Sequence, residues 1–425
     1  MPTDLEYQGA FRLPYVEDHD AGGYTIGWHW GGTGAAYYPD HNSLFIVGHD
    51  HTMYVGEVSI PAPVISDNIE SLNTAETLQG LTNIRSGITN LTTLFNNANI
   101  RRAGLAYLPA QGDQTQEKLY SCWGAHFQSG GQNLPSHAWC NTDFTGRAGA
   151  WRLFDEETIT LYQTNDYLFE VPVSFANTYL SGRRLISGRY RDGGWSGEGP
   201  NLIAFAPWDY GNPPTNEAIF DTALRLVGYS SSDPAGYNFG GGHTLNDYNH
   251  ADEWSGGAWL TTGGKAAVTL VGTKGMGNYW YGFSDGSVFN EDGSVLYPDG
   301  TLVPPPGPGE PEDANFPLAP HNDRGWWAPT LESEVIFYDP ADLASVASGI
   351  MQPYEVQPYA TLVLDDYLYN QSKVPELEVE KNRYLLGACA YDSDHQRLYI
   401  IEYRGEPTGV GLIDDNPIVH VFRVN

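Results

Sequence analysis

Little of this chain is basic, little of it is cysteine, and none of it is long and apolar. Three cysteines (Cys122, Cys140, Cys389) stand among 425 residues, too few for a disulfide framework and leaving one over if two pair. Lys and Arg number 21 against 52 Asp and Glu, a formal charge of −31. Such an excess repels nucleic acid and anionic membrane and argues against both as partners. A polyanion gripped by a local cationic patch is still allowed. At sea-like salt the screening length is roughly 4 Å, so distant carboxylates are screened while adjacent arginines act. No run of 18 apolar residues occurs, so no transmembrane helix is expected. The opening MPTDLEYQG lacks the apolar region of a signal peptide, which leaves a cytosolic protein or a secreted one whose signal has been removed.

What the chain has in quantity is aromatics and glycine: 28 Tyr, 12 Trp, 16 Phe and 49 Gly. That is the composition of a turn-rich β protein. Three segments resemble one another, GAAYYPD…LFIV from Gly34, GLAYLP…LYSC from Gly104 and GACAYDSD…LYII from Gly387. Each reads as a small-residue strand, a Pro or Asp turn, and a β-branched or aromatic strand. Further strands are expected at Leu202–Phe205, Ala258–Thr262, Ala267–Val271 and Glu334–Tyr338, with helical stretches in Asn68–Leu94 and one short helix opened by Asp339-Pro340. Repeated hairpins without a compositional linker predict one all-β domain over residues 1–425, a β-propeller. About 60 residues per blade gives seven blades. The terminal YQGAFRLP and PIVHVFRVN are both strand-like and can complete one blade together. Ser284–Pro317 holds three Asp-Gly turns and then PPPGPGEPED, and is expected as an excursion between strands. Its acids allow a calcium loop, although the EF-hand spacing is absent.

The basic residues are not evenly spread. Four arginines fall within Arg183–Arg191, with no acid among them. As a strand, this stretch puts Arg189 and Arg191 on one face, and Asp192-Gly193-Gly194 turns the chain. Guanidinium forks suit carboxylate or sulfate, while pairing with surplus surface carboxylates is the structural alternative.

Two other clusters can carry chemistry. In CWGAHFQSGGQNLPSHAWC, Cys122–Cys140, the spacing Cys-x3-His…His-x2-Cys invites zinc. Strand parity opposes it, because His137 and Cys140 are three apart and point to opposite faces. A Cys122–Cys140 disulfide is an alternative, and His126 and His137 as base, acid or hydrogen-bond donors are a third. Tyr237–Trp259 places His243, Tyr248 and His250 among glycines, a composition that brings polar side chains close to a ligand. Its Asp and Glu are candidates for a glycosidase pair. Lys274 in GTKGMGNYWYG is a candidate channel lining or a solvated lysine. Gly282-Phe-Ser-Asp-Gly286 fits G-x-S-x-G, but no helix pattern follows the serine, so it reads as an Asp-Gly turn. No P-loop, dinucleotide fingerprint or H-E-x-x-H occurs.

The segments YQGAFRLP, GAAYYPDHNSLFIVGHD, GRYRDGGWSGEGP, FYDPADLASVASG and VHVFRVN together resemble the ulvan lyases of the seven-bladed β-propeller type, secreted polysaccharide lyases of marine bacteria. The resemblance implies β-elimination on a sulfated, uronate-containing polysaccharide, an acidic polymer as partner, and no cofactor for the chemistry. Arg189 or Arg191 would neutralise the uronate carboxylate, and His126, His137 and Tyr179 would share base and acid duties. Tyr248 is the second choice of tyrosine; read from the chain itself, Trp195, His243, Tyr248 and Lys274 are the expected substrate contacts. Members can hold a structural metal ion, calcium or zinc, for which His321 is a candidate ligand. A monomer is expected. The alternatives are a propeller glycoside hydrolase working with two carboxylates, and a non-catalytic carbohydrate-binding propeller.

Overall fold

The computed structural model describes residues 2–20, 23, 25–50, 52–88, 100–125, 135–154, 164, 166–189, 198–229, 243–311, 313–317, 324–372, 385–406 and 415–425. Five sheets repeat one plan, in which three antiparallel strands step outward from an inner strand; in the second sheet Ile219–Phe220 adds a fifth strand in parallel. The inner strands are Ala35–Tyr38, Ile100–Leu108, Tyr167–Glu170, Glu253–Thr262 and Leu386–Asp392. Each touches the next, and the fifth touches the first, so the described residues form a closed ring of five blades rather than the seven expected.

The packing of the described residues follows the same arrangement. One hydrophobic cluster fills each gap between neighbouring blades, and there are five gaps. Leu44 and Ile46 pack with Ala388 and Tyr399 of blade 5, while their chain neighbours Phe45 and Val47 pack with Leu105 and Leu119 of blade 2. Alternation along a strand thus serves both neighbours. The remaining gaps are filled by Tyr120 and Cys122 against Leu185 and Ile203, Tyr167 and Phe169 against Trp254 and Trp259, and Leu260 and Ala267 against Leu398 and Phe422. Each fully buried Leu, Ile, Val or Phe side chain among them contributes roughly 1.5–3 kcal/mol.

Glycine sets how closely the blades meet. A Cβ on Gly34 would lie 2.2 Å from the Ala103 carbonyl oxygen, one on Gly104 2.6 Å from the Tyr167–Leu168 backbone, and one on Gly256 2.6 Å from the Cys389 nitrogen. The repeated G-x-A-Y segments are therefore inner strands, and their glycines are the points of inter-blade contact. The expected seven blades failed on spacing. Long connections separate the later inner strands, so a 60-residue average overcounts the blades.

The chain ends close the ring. Leu5–Arg12 pairs with Asn416–Val424 as the outermost strand of blade 5, from Leu5 opposite Val424 to Arg12 opposite Ile418. The four internal strands anticipated at Leu202–Phe205, Ala258–Thr262, Ala267–Val271 and Glu334–Tyr338 are all present, three of them as parts of longer strands. Helix Pro340–Ala347 also forms, with the Asp339 carboxylate accepting from the Ala341 N–H at 2.8 Å. The helical expectation for Asn68–Leu94 was wrong where described. Only Ile69–Ser71 is a helical turn, and Thr77–Thr82 is the outer strand of blade 1.

The excursion is built. Between the second and third strands of blade 4, five short strands from Trp280–Gly282 to Gly325–Trp327 form a sheet of their own. Its turns repeat every seven residues, with Asp285, Asp292 and Asp299 each accepting from the N–H two residues on at 2.8–2.9 Å. The following glycines sit at φ 95, 83 and 87, where a side chain is strained. Gly282–Gly286 is thus an Asp-Gly turn.

Candidate functional site

Each inner strand is paired on one side only, so its other edge of N–H and C=O groups faces the propeller axis. Aligned on GAAY, GLAY, YLFE, GGAW and ACAY, the inner strands bring Tyr37, Tyr107, Glu170, Trp259 and Tyr391 to one level. These five line an axial cavity of about 290 Å³, together with Arg184, Ser393, Asp394 and small residues such as Ala36, Ala106 and Ala390. Four aromatic rings and one carboxylate make a collar where the inner strands turn back into the second strands, the hairpin face.

The acid in the collar is tuned. Glu170 Oε2 lies 3.3 Å from Arg184 Nη2, and Arg184 Nη1 donates to Gln111 Oε1 at 3.2 Å. Burial pushes the Glu170 carboxyl up, Arg184 opposes that, and Asp394 adds to it. The side chain is 45% accessible and lines the cavity beside Arg184. Asp394 sits in the exposed turn at the cavity mouth.

The rest of the collar is braced from behind. The Tyr107 hydroxyl donates to Glu117 Oε2 at 2.9 Å, and those of Tyr38 and Thr142 donate to Oε1 at 2.8 and 2.7 Å. Burial works against the charge on Glu117, but these donors hold its carboxyl below the usual range. Tyr391 donates to the Thr261 carbonyl, Tyr37 donates to Asn42 Oδ1 at 3.1 Å, and the Trp259 ring packs 4.5 Å from Phe175.

The residues expected from sequence fall elsewhere. The arginine cluster divides between the two ends of blade 3. Arg184, before strand Leu185–Gly188, points into the axial cavity. Arg189, after it, lies at the opposite end, the loop face, with Nε 3.6 Å from Asp166 Oδ2 and both side chains buried. Tyr167 Oη donates to the Arg189 carbonyl at 2.8 Å and Asn201 Oδ1 accepts from the Arg189 N–H at 2.8 Å. Tyr179 ends helix Val173–Tyr179 on the hairpin face, half exposed. A whole strand separates it from Arg189, so the structure does not bring this pair together. Arg191, His126, Trp195 and His321 lie outside the described residues.

His137 is sealed inside. It is 2% exposed, its Nδ1 hydrogen-bonds Ser136 Oγ at 2.8 Å, and its Nε2 hydrogen-bonds Ser187 Oγ at 2.9 Å. Burial drives its pKa down to about 3. Cys122 lies opposite His137, but Cys140 lies opposite Leu119, and all three cysteines are thiols. The disulfide reading and the zinc set at this hairpin are therefore corrected: the two sulfurs face different blades, Cys122 with Leu185 and Cys140 with Phe144. Among the described residues no three His, Cys, Asp or Glu side chains gather as metal ligands.

Lys274 is neither solvated nor part of the axial lining. Its Nζ is 3.0 Å from Asp252 Oδ1 and 2.6 Å from the Asp247 carbonyl, in a buried pair. His243 stacks on Tyr354 at 3.7 Å. Tyr248 Oη lies 3.3 Å from His250 Nδ1, and His250 stacks on Trp326 at 4.5 Å.

Sequence reasoning missed Glu170, Arg184, Trp259 and Asp394. A signal was there: Tyr37, Tyr107 and Tyr391 occupy the same place in the three repeated segments, which marks a shared level on the axis.

No family model and no curated relative matches this chain. Among solved structures it is similar to a putative exo-β-1,3-galactanase from Bifidobacterium bifidum s17, at 10% identity over 98% of this chain and 92% of that one, TM-score 0.40. It is also similar to the PQQ-bound aldose sugar dehydrogenase of Streptomyces coelicolor, at 11% identity over 97% of each chain, TM-score 0.36. A third is the α-L-arabinofuranosidase of Lactobacillus brevis, at 10% identity over 92% of this chain and 90% of that one, TM-score 0.36.

Proposed function

We propose that this chain is a carbohydrate-active enzyme that hydrolyses glycosidic bonds in the axial cavity, with Glu170 as general acid and Asp394 as the second carboxylate. One observation carries the reading: two acids, Glu170 with its carboxyl pushed up by burial and Asp394 at the mouth, share one aromatic-lined cavity. Glycoside hydrolysis needs two carboxyl groups in different protonation states, one to protonate the leaving oxygen and one to activate water or attack the anomeric carbon. Tyr37, Tyr107, Trp259 and Tyr391 supply apolar faces for the C–H side of a sugar ring, and the unpaired inner-strand edges supply donors and acceptors for its hydroxyls. The test is release of reducing sugar from a panel of polysaccharides by the wild type, Glu170→Gln and Asp394→Asn. Loss of release in both variants with the fold kept supports the assignment; full release by Glu170→Gln overturns it.

A second reading, β-elimination on a uronate polymer, rests on the resemblance to ulvan lyases and on the loop face. There Arg189 is fixed by Tyr167 and Asn201 at the start of the segment that carries Arg191 and Trp195. Elimination leaves a double bond conjugated to the carboxylate, which absorbs in the ultraviolet, whereas hydrolysis leaves none. Rising absorbance on ulvan, lost in a folded Arg189→Ala/Asp166→Leu variant, would support chemistry on the loop face.

A further inference from the structure

We infer that the axial cavity is a blind pocket for a single chain-terminal sugar without a carboxylate, so that cleavage is exo. The inference rests on the hydrolytic reading and narrows its substrate.

Three observations carry it. The first is where the cavity stops. Its lining begins at Ala35, Leu105, Leu168, Gly257 and Cys389 and runs to Pro39, Pro109, Glu170 and Asp394. The level just before, Gly34, Gly104, Tyr167, Gly256 and Ala388, contributes no lining. That is where the glycines let neighbouring inner strands close to contact, with an added Cβ meeting backbone at 2.2–2.6 Å. Among the described residues the cavity therefore ends at the glycine level and opens on the hairpin face.

The second is size. At about 290 Å³ the space is about ten water volumes, room for one sugar ring, and it lies at the small end of ligand pockets. A polymer cannot thread a pocket closed at one end, so only a chain end enters.

The third is charge. Tyr37, Tyr107 and Tyr391 are held neutral by burial and nearby acids, and Cys389 by burial. Among the described residues the ionic groups of the lining are Glu170, Asp394 and Arg184. Arg184 already engages Glu170 and Gln111. A uronate carboxylate would have Arg184 as its cation among the described lining residues, would have to displace Glu170 or Gln111 to reach it, and would lie in the same cavity as Asp394, so its desolvation would be poorly compensated. A neutral sugar meets aromatic faces and backbone edges at no such cost.

The test has two arms. Titration calorimetry compares methyl glucoside and methyl galactoside with methyl glucuronoside on the wild type and on Tyr391→Ala, with Tyr37→Ala as the second variant should the first not fold. At least one neutral glycoside is expected to bind at least ten-fold tighter than the uronoside, and to weaken at least ten-fold in the collar variant. The second arm digests a neutral oligosaccharide labelled at one end and follows the products. Stepwise shortening by one sugar is expected. Preferred binding of the uronoside in the collar, or internal cuts from the first time point, overturns the inference while leaving hydrolysis in place. Absence of any glycoside binding that the collar variants alter overturns the hydrolytic reading together with it.

Discussion

His137 on blade 2 and Ser187 on blade 3 meet at 2.9 Å across the blade gap, imidazole Nε2 against hydroxyl. The Ser187 hydroxyl donates its own hydrogen bond to the Thr164 carbonyl, and Ser136 occupies the other ring nitrogen. The imidazole is thus a neutral strut between blades. A base in elimination must reach substrate and gain a proton, and this geometry permits neither. A catalytic histidine for the elimination reading would have to come from another position, such as His126.

This strut sets a pH dependence of stability. An unfolded histidine titrates near 6.5, while His137 in the fold stays neutral down to about 3. Below about pH 6.5 the unfolded chain takes a proton that the native one refuses, so stability falls with falling pH through that window by up to ~1.4 kcal/mol per unit. Urea denaturation of the wild type between pH 7 and pH 4 should show the slope. His137→Asn, less stable at pH 7, should show less of it.

Glu170 produces the opposite trend. Its raised carboxyl holds a proton in the fold after the unfolded chain has lost it, so stability falls as pH rises from the ordinary Glu value through the raised one. Hydrolysis should fall over that same limb, because the general acid must be protonated. Glu170→Gln is expected to lose at least 100-fold in kcat and to remove the limb from what activity is left. A pH–rate profile unchanged by Glu170→Gln would exclude the residue as the acid.

Arg189 is braced by Asp166 in a buried pair. Arg189→Ala should cost about 3–5 kcal/mol by leaving a buried carboxylate beside it, and Arg189→Ala/Asp166→Leu should recover part of that. Activity must therefore be compared on the double variant. If uronate elimination survives in it and in Arg191→Ala, neither arginine neutralises the substrate.

The glycine contacts are steric and should not tolerate a methyl group. Gly104→Ala places Cβ 2.6 Å from the backbone of Tyr167 and Leu168, where only blade separation can relieve the clash. The expected loss is about 1–3 kcal/mol, read as a lower urea midpoint at unchanged slope. Gly263→Ala meets nothing within 4 Å but has φ +47, and should cost less.

Much of the propeller was legible in the chain because its causes are local. Small residues before a Pro or Asp turn, then a β-branched run, specify a hairpin wherever they occur, and three copies implied a repeated blade. Asp339-Pro340 specifies a helix start by its own capping. Cys140 and His137, three apart on a strand, had to face different ways. The number of blades was not local. It depends on how much chain leaves the ring between inner strands, and the seven-residue turn repeat after Gly282 adds strands without adding a blade.

The site divides along the same line. Sequence alone determined that aromatics recur at one position of the repeated strand and that arginines cluster before Asp192. Only the tertiary structure decided what those residues share. A strand of four residues sends Arg184 and Arg189 to opposite ends of a blade, so neighbours in the chain become strangers in space. Ring closure brings Tyr37, Tyr107, Glu170, Trp259 and Tyr391, spread over more than 350 residues, around one axis. Proximity in the chain is a matter of covalent geometry. Proximity at the site follows from five sheets burying their faces against one another, which no single segment encodes.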